Sequence, residues 1–140
     1  MDARPARTTR RIVYALAALL WLSGGALYVL QSWFRRAGEF GLERNALEPG
    51  ARTLHGVLAI AGLFGLGWLT ASHVGVALAS PAARRGGPLL LATMATLAAS
   101  GFALFYLSAD APRAATGWLH AALGALVLLP ALWHWRRRAR

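Results

Sequence analysis

The sequence predicts an all-α integral membrane protein: a four-helix bundle formed by residues 1–140 as a single domain, with both termini cytoplasmic. Two observations carry the fold. Of 140 residues, 57% are hydrophobic, above the ~45–50% usual for globular chains. The charges fall in short clusters separated by long apolar runs, and an apolar run of about 18 or more residues reads as a membrane-spanning helix. A third observation, the placement of the arginines, predicts orientation.

Four runs are visible: 12–33, 54–79, 88–109 and 114–135. Each holds about 22–26 residues, or roughly 33–39 Å of helix, against about 30 Å of hydrocarbon. They leave no room for a separate soluble domain. The first run follows a basic start but is longer than a signal-peptide core, and Ser23-Gly24-Gly25 inside it makes a poor cleavage site, so it is read as a retained helix. The loop after it is the largest polar segment. Its "RRAGEFGLERNAL" stretch is expected to lie as a short interfacial helix. "SPAARRGGP" and "SADAPR" read as tight turns. Pro88 and Pro112 suit the first turn of a following helix, whereas Pro130 falls inside the fourth run and predicts a kink. No internal repeat is expected.

All fifteen basic residues are arginine. Ten precede run 1, follow run 4 or lie between runs 2 and 3. The opposite side holds Arg35, Arg36, Arg44, Arg52 and Arg113, with Glu39, Glu43, Glu48 and Asp110. Cytoplasmic loops collect basic residues, which places both termini in the cytoplasm of a bacterial inner membrane. The net charge of +10 is therefore read as a topology signal, and no nucleic-acid partner is expected. The absence of cysteine excludes disulfides, iron–sulfur clusters and covalent haem attachment.

The four histidines, His55, His73, His120 and His134, all fall in runs 2 and 4. On a regular helix at 100° per residue, His55 and His73 are five full turns apart, and His120 and His134 lie within about 40° of four turns. Each run thus shows two imidazoles on one face. Imidazoles within an apolar span mark a functional site by default, and two facing imidazoles suit the axial positions of a haem b iron. Two levels follow: an outer haem on His55 and His120, and an inner haem on His73 and His134. Ala59, Gly62, Leu66 and Leu69, with Gly124, Val127 and Ala131, line the histidine faces, and Gly24, Gly25 and Gly101 add small residues from runs 1 and 3. These leave space for a flat macrocycle, although such residues also serve ordinary helix packing. Arg52 and Arg113 are candidate partners of haem propionates, equally readable as helix-end markers. Tyr106 and Trp118 read as interfacial-belt residues. A zinc or copper site fits less well, because neither level offers a third ligand. A proton relay would call for Asp or Glu inside the runs, and there is none.

The stretches "TLHGVLAIAGLFGLGWLTASHV", "SGFALFYLSADAPR" and "WLHAALGALVLLPALWHWRRRAR" resemble small bacterial four-helix cytochrome-b-like proteins. They also resemble the four-helix unit of the cytochrome b subunit of quinol–cytochrome c oxidoreductases, whose second and fourth helices each give two histidines to two haems. The H-x13-H of His120 and His134 matches that pattern, and the His55–His73 gap is longer than the family's usual one. The resemblance implies haem b and electron transfer. The expected function is a di-haem b subunit carrying electrons across the membrane, or between a quinone pool and a periplasmic cytochrome or dehydrogenase, within a larger redox complex. The rivals are a cofactor-free structural or assembly subunit and a small proton-coupled transporter.

Overall fold

A computed structural model describes residues 7–74 and 87–138, with the side chains of residues 73, 74, 134, 135, 137 and 138 outside the described set. The chain forms helices α1 (Arg7–Trp33), α2 (Glu48–Leu69), α3 (Gly87–Tyr106), α4 (Asp110–Leu126) and α5 (Leu128–Arg138), with strands β1 (Arg36–Gly38) and β2 (Gly41–Glu43) between α1 and α2. Four helical segments are long and apolar enough to cross a membrane: Arg7–Trp33, Glu48–Ser72, Gly87–Tyr106 and Asp110–Trp133. The mostly helical fold and the four long apolar segments agree with the sequence reading, while residues 75–79 of the second expected run and 80–86 of the expected turn lie outside the described residues. The chain divides into two compact units, Ala6–Leu66 and Gly67–Arg140.

In the first unit α1 meets α2 through residues one helical turn or so apart. A side-chain carbon at Gly62 would come within 2.7 Å of Leu20, and one at Gly65 within 3.7 Å of Leu16. Gly62 therefore receives a leucine of α1, which corrects its assignment to macrocycle space. The expected interfacial helix after α1 is instead an antiparallel β-hairpin, with Arg36 opposite Glu43 and Ala37 opposite Leu42. Two glycines within four residues each cost a helix about 1 kcal/mol. Gly41 takes a φ of 113°, a conformation costly for any residue with a Cβ, so the reversal falls there. Asn45 then starts α2: its carboxamide oxygen accepts from Leu47 N at 2.9 Å, and its carbonyl accepts from Glu48 N at 3.0 Å. Pro49 fits the first turn, where it removes no intrahelical bond. The helix thus begins six residues before the expected Leu54.

In the second unit α3 packs on α4 and α5. Gly87 and Pro88 open α3, and Asp110 and Pro112 lie in the first turns of α4. Arg113 N–H groups donate to the carbonyls of Leu104 and Leu107, at 2.6 and 2.9 Å. The Leu104 carbonyl belongs to the last turn of α3, which lacks intrahelical partners, and the Leu107 carbonyl directly follows the helix. The helix expected over 114–135 is interrupted at Val127, whose N–H still donates to Leu123 O at 2.8 Å. Pro130 explains the break. It has no N–H for the Leu126 carbonyl, and its ring crowds that carbonyl.

Among the described residues no apolar side chain is fully buried, and the two buried residues, Glu48 and Ser100, are polar. Large apolar groups such as Phe64 (78% exposed) and Phe105 (76%) face outward. This inverts the water-soluble pattern. It suits a chain whose outward surface meets hydrocarbon.

Candidate functional site: two glycine-backed imidazoles

Each unit presents one histidine from its second long helix to a Ser-Gly pair on its first. In Ala6–Leu66, the Ser23 hydroxyl donates to the Leu20 carbonyl at 3.1 Å, and its oxygen lies 2.9 Å from His55 Nδ1. In Gly67–Arg140, the Ser100 hydroxyl donates to Leu97 O at 3.1 Å, and its oxygen lies 2.9 Å from His120 Nδ1. The next residue in each case is glycine. A side-chain carbon at Gly24 would stand 3.0 Å from His55 Cε1, and one at Gly101 would stand 3.1 Å from His120 Cε1. The ring edge therefore rests on bare backbone in both units.

Coincident geometry reflects coincident sequence. Ser23 to Leu30 reads SGGALYVL and Ser100 to Leu107 reads SGFALFYL, identical at five of eight positions. Both histidines sit in L-H-x-x-L-[AG], Leu54–Ala59 and Leu119–Gly124. The expectation of no internal repeat is thus corrected. The repeat is obscured because His55 follows its serine by 32 residues and His120 by 20. The β-hairpin and its flanks occupy most of the difference. Neither Ser23 nor Ser100 was a candidate from sequence, though the shared S-G-x-A-L was the available signal.

His73 lies in a π-turn, Thr70–Val74, and His134 lies on α5; the side chains of both are outside the described residues, so the inner pair has no described geometry. The π-turn alters the angular argument. Its wider coil advances each residue by less than the 100° of a regular helix on which the His55–His73 alignment was counted. Between His120 and His134 the helix is likewise not continuous, with a turn at Val127.

Arg52 and Arg113 hold protein partners. Arg113 caps α3 as described. Arg52 joins a buried cluster at the loop end of the first unit, where Glu48 is 1% exposed. Glu48 Oε1 accepts from Arg52 at 2.8 Å, from Arg35 at 2.8 Å and from Gln31 Nε2 at 3.3 Å, and Oε2 accepts from Arg35 Nε at 3.2 Å. Arg35 thus grips the carboxylate with a two-pronged fork. A propionate at Arg52 or Arg113 would have to share the guanidinium with these partners. Tyr106 and Trp118 are both strongly exposed, as belt residues would be.

Among the described residues, no group of three or more His, Asp or Glu gathers. A haem iron would need only two axial side chains and a zinc site three or more; the described imidazoles that could serve, His55 and His120, each lie against a serine and a glycine of their own unit. No protein-family model, no curated protein and no solved structure matches this chain.

Proposed function

We propose that the chain is a di-haem b subunit of a bacterial inner-membrane redox complex. The single observation that supports this most is the repetition of one imidazole environment, at His55 and again at His120. An axial ligand must be a neutral imidazole with fixed ring orientation and room beside it for a planar macrocycle. Two features support the reading: each Nδ1 is bound to a serine oxygen, which fixes ring orientation, and each ring lies against a glycine.

On this reading, His55 and His120 hold the outer haem, and His73 and His134 hold the inner one. When bound, haem supplies a one-electron iron couple, while the protein supplies position and electrostatics. The apolar outward surface anchors the chain in the bilayer. The arginine distribution puts both termini on the cytoplasmic side. With so little mass outside the spans, the chain passes electrons to or from other subunits, a quinone pool or a periplasmic partner.

One observation favours the cofactor-free structural reading: each Ser–His bond joins two helices, as polar pairs between membrane helices do. The visible spectrum of the full chain purified in detergent separates the two. The di-haem reading expects reduced α-bands and about two haems per chain. His55→Ala and His120→Ala should each remove the same haem and leave the other. A colourless, folded protein after growth with ample haem supports the structural reading and overturns the proposal.

A further inference from the structure

The hairpin between α1 and α2 carries apolar side chains that the protein leaves uncovered. Phe40, at its tip, is 97% exposed, and Leu42 is 71% exposed. Successive side chains of a strand take opposite faces. The register sets Arg36 with Glu43 on one face and Ala37 with Leu42 on the other. Glu43 folds over the first face, since a side-chain carbon at Gly38 would collide with its carboxylate. One face is therefore charged and the other apolar. Each strand has three residues, and a lone two-stranded hairpin is marginal in water. A supporting surface is needed, and the position of the hairpin in the chain identifies it. From Ile12 to Trp33, α1 offers roughly 33 Å of apolar helix, against about 30 Å of hydrocarbon. The α2 span opens at Glu48. Residues 34–47 are thus tied at both ends to the edge of the hydrocarbon, where Trp33 and Phe34 are also exposed. Strands of three residues reach only about 10 Å, so the tip stays near the lipid headgroups.

We propose that Arg36–Glu43 is an interfacial anchor: the hairpin lies on the bilayer surface, with its apolar face and Phe40 set into the boundary between headgroups and acyl chains. This rests on α1 and α2 crossing the membrane and is independent of the haem reading. It gives the segment the location expected of an interfacial helix, but with apolar side chains at a period of two. Charge fits this occupant. Arg36 and Arg44 are exposed, and at the foot of the hairpin Arg35 and Arg52 share the single carboxylate of Glu48. Residues 34–52 hold four arginines against three glutamates, which leaves one positive charge for lipid phosphates. A partner strand fits less well, because three-residue edges give it few backbone groups to pair with.

The test uses the full chain in nanodiscs of phosphatidylcholine and phosphatidylglycerol. The chain has no cysteine, so a single spin label can be placed through Ala37→Cys on the apolar face, Arg36→Cys on the charged face or Ile60→Cys at an exposed position of α2. Power-saturation EPR compares access of oxygen, which concentrates in lipid, with access of a nickel chelate, which stays in water. The Ile60 and Ala37 positions should both favour oxygen, and the Arg36 position the chelate. Adding Phe40→Ser should release the hairpin: chelate access at Ala37 rises to the level seen at Arg36, and amide exchange over residues 36–43 quickens about 10-fold or more, as the lost burial of one phenylalanine requires. With the Ile60 label in lipid, an Ala37 label open to the chelate overturns the proposal. So does one shielded from both reagents, which is the mark of a protein contact. An Ile60 label open to the chelate defeats the membrane-spanning reading itself, and the anchor with it.

Discussion

Replacing Glu48 with glutamine tests what fixes the loop end of the first unit. The substitution keeps shape and one acceptor but removes the charge. In the native chain Oε1 receives three N–H groups and Oε2 receives one, from Arg35 Nε at 3.2 Å. A carboxamide retains Oε1 but turns an NH2 toward Arg35 Nε, donor against donor. Removing one partner of a fully buried ion pair costs about 3–5 kcal/mol, because it strands a charge. Here the stranded charges are not trapped: Arg35 and Arg52 are 30% and 42% exposed and can turn into solvent. Exposed pairs are worth only ~0.2–1 kcal/mol each. Between these limits, Glu48→Gln should destabilise the unit by about 1–2 kcal/mol. Arg35 makes two of the four bonds and is the less exposed arginine, so Arg35→Gln should cost more than Arg52→Gln. Unfolding of the full chain in mixed detergent–SDS micelles gives the free energies. Hydrogen exchange across residues 34–48 locates the loss. A Glu48→Gln chain as stable as wild type, or an Arg52→Gln chain hit harder than Arg35→Gln, would refute the reasoning.

Two further outcomes follow from the geometry. Gly24→Ala places a carbon 3.0 Å from His55 Cε1 and Gly101→Ala places one 3.1 Å from His120 Cε1, whereas carbons prefer about 3.5–4.0 Å. Each ring should move by roughly 0.5 Å, seen as a shift of its own histidine resonances, while helix content holds because alanine favours helix by about 1 kcal/mol; Gly25→Ala, with nothing within 4 Å, should leave both histidines unmoved. Pro130→Ala restores an N–H to the Leu126 carbonyl, so amide protection should rise across residues 127–131 and α4 should run on into α5; unchanged protection there would mean that something other than the proline breaks the helix.

The four long apolar helices were legible because they depend on run length, which composition displays directly. Pro130 was legible for a similar reason: its effect is local and chemical. What sequence reading missed are contacts between residues far apart in the chain. Glu48 looked like one more loop acid, and its burial depends on Gln31 and Arg35, which reach it only after the chain reverses at Gly41. Ser23 and Ser100 looked like unremarkable small residues in apolar runs, since a serine can satisfy its own helix by bonding a carbonyl one turn back. Their second role, bonding an imidazole, is visible only when the partner helix is in place. The angular count on His55 and His73 had a different basis. It assumed an unbroken α-helix, and no residue in Thr70–Val74 announces a π-turn.

Hydrocarbon gives helices no hydrophobic reason to associate, since lipid tails are as apolar as leucine. Polar bonds must then supply much of the register, and among the described residues each unit shows such fixings at an end and in its interior. The first unit is fixed at Ser23–His55 and again at Glu48; the second is fixed at Ser100–His120 and again where Arg113 caps α3. The end fixings are unalike, a carboxylate clamp in one and a carbonyl cap in the other, as expected if any device that fastens a helix end will serve. The inner fixings agree in residue type, bonded atom, distance and the glycine that follows. At the ends the two halves use different chemistry; in the interior they agree in residue type and bonded atom, which is the observation the proposed ligand role draws on. Asparagine or glutamine could join two helices at either serine, but only an imidazole does so through one nitrogen while keeping a metal-binding lone pair on another. That contrast between the varied ends and the repeated interior is why the histidines are read as ligands rather than as glue.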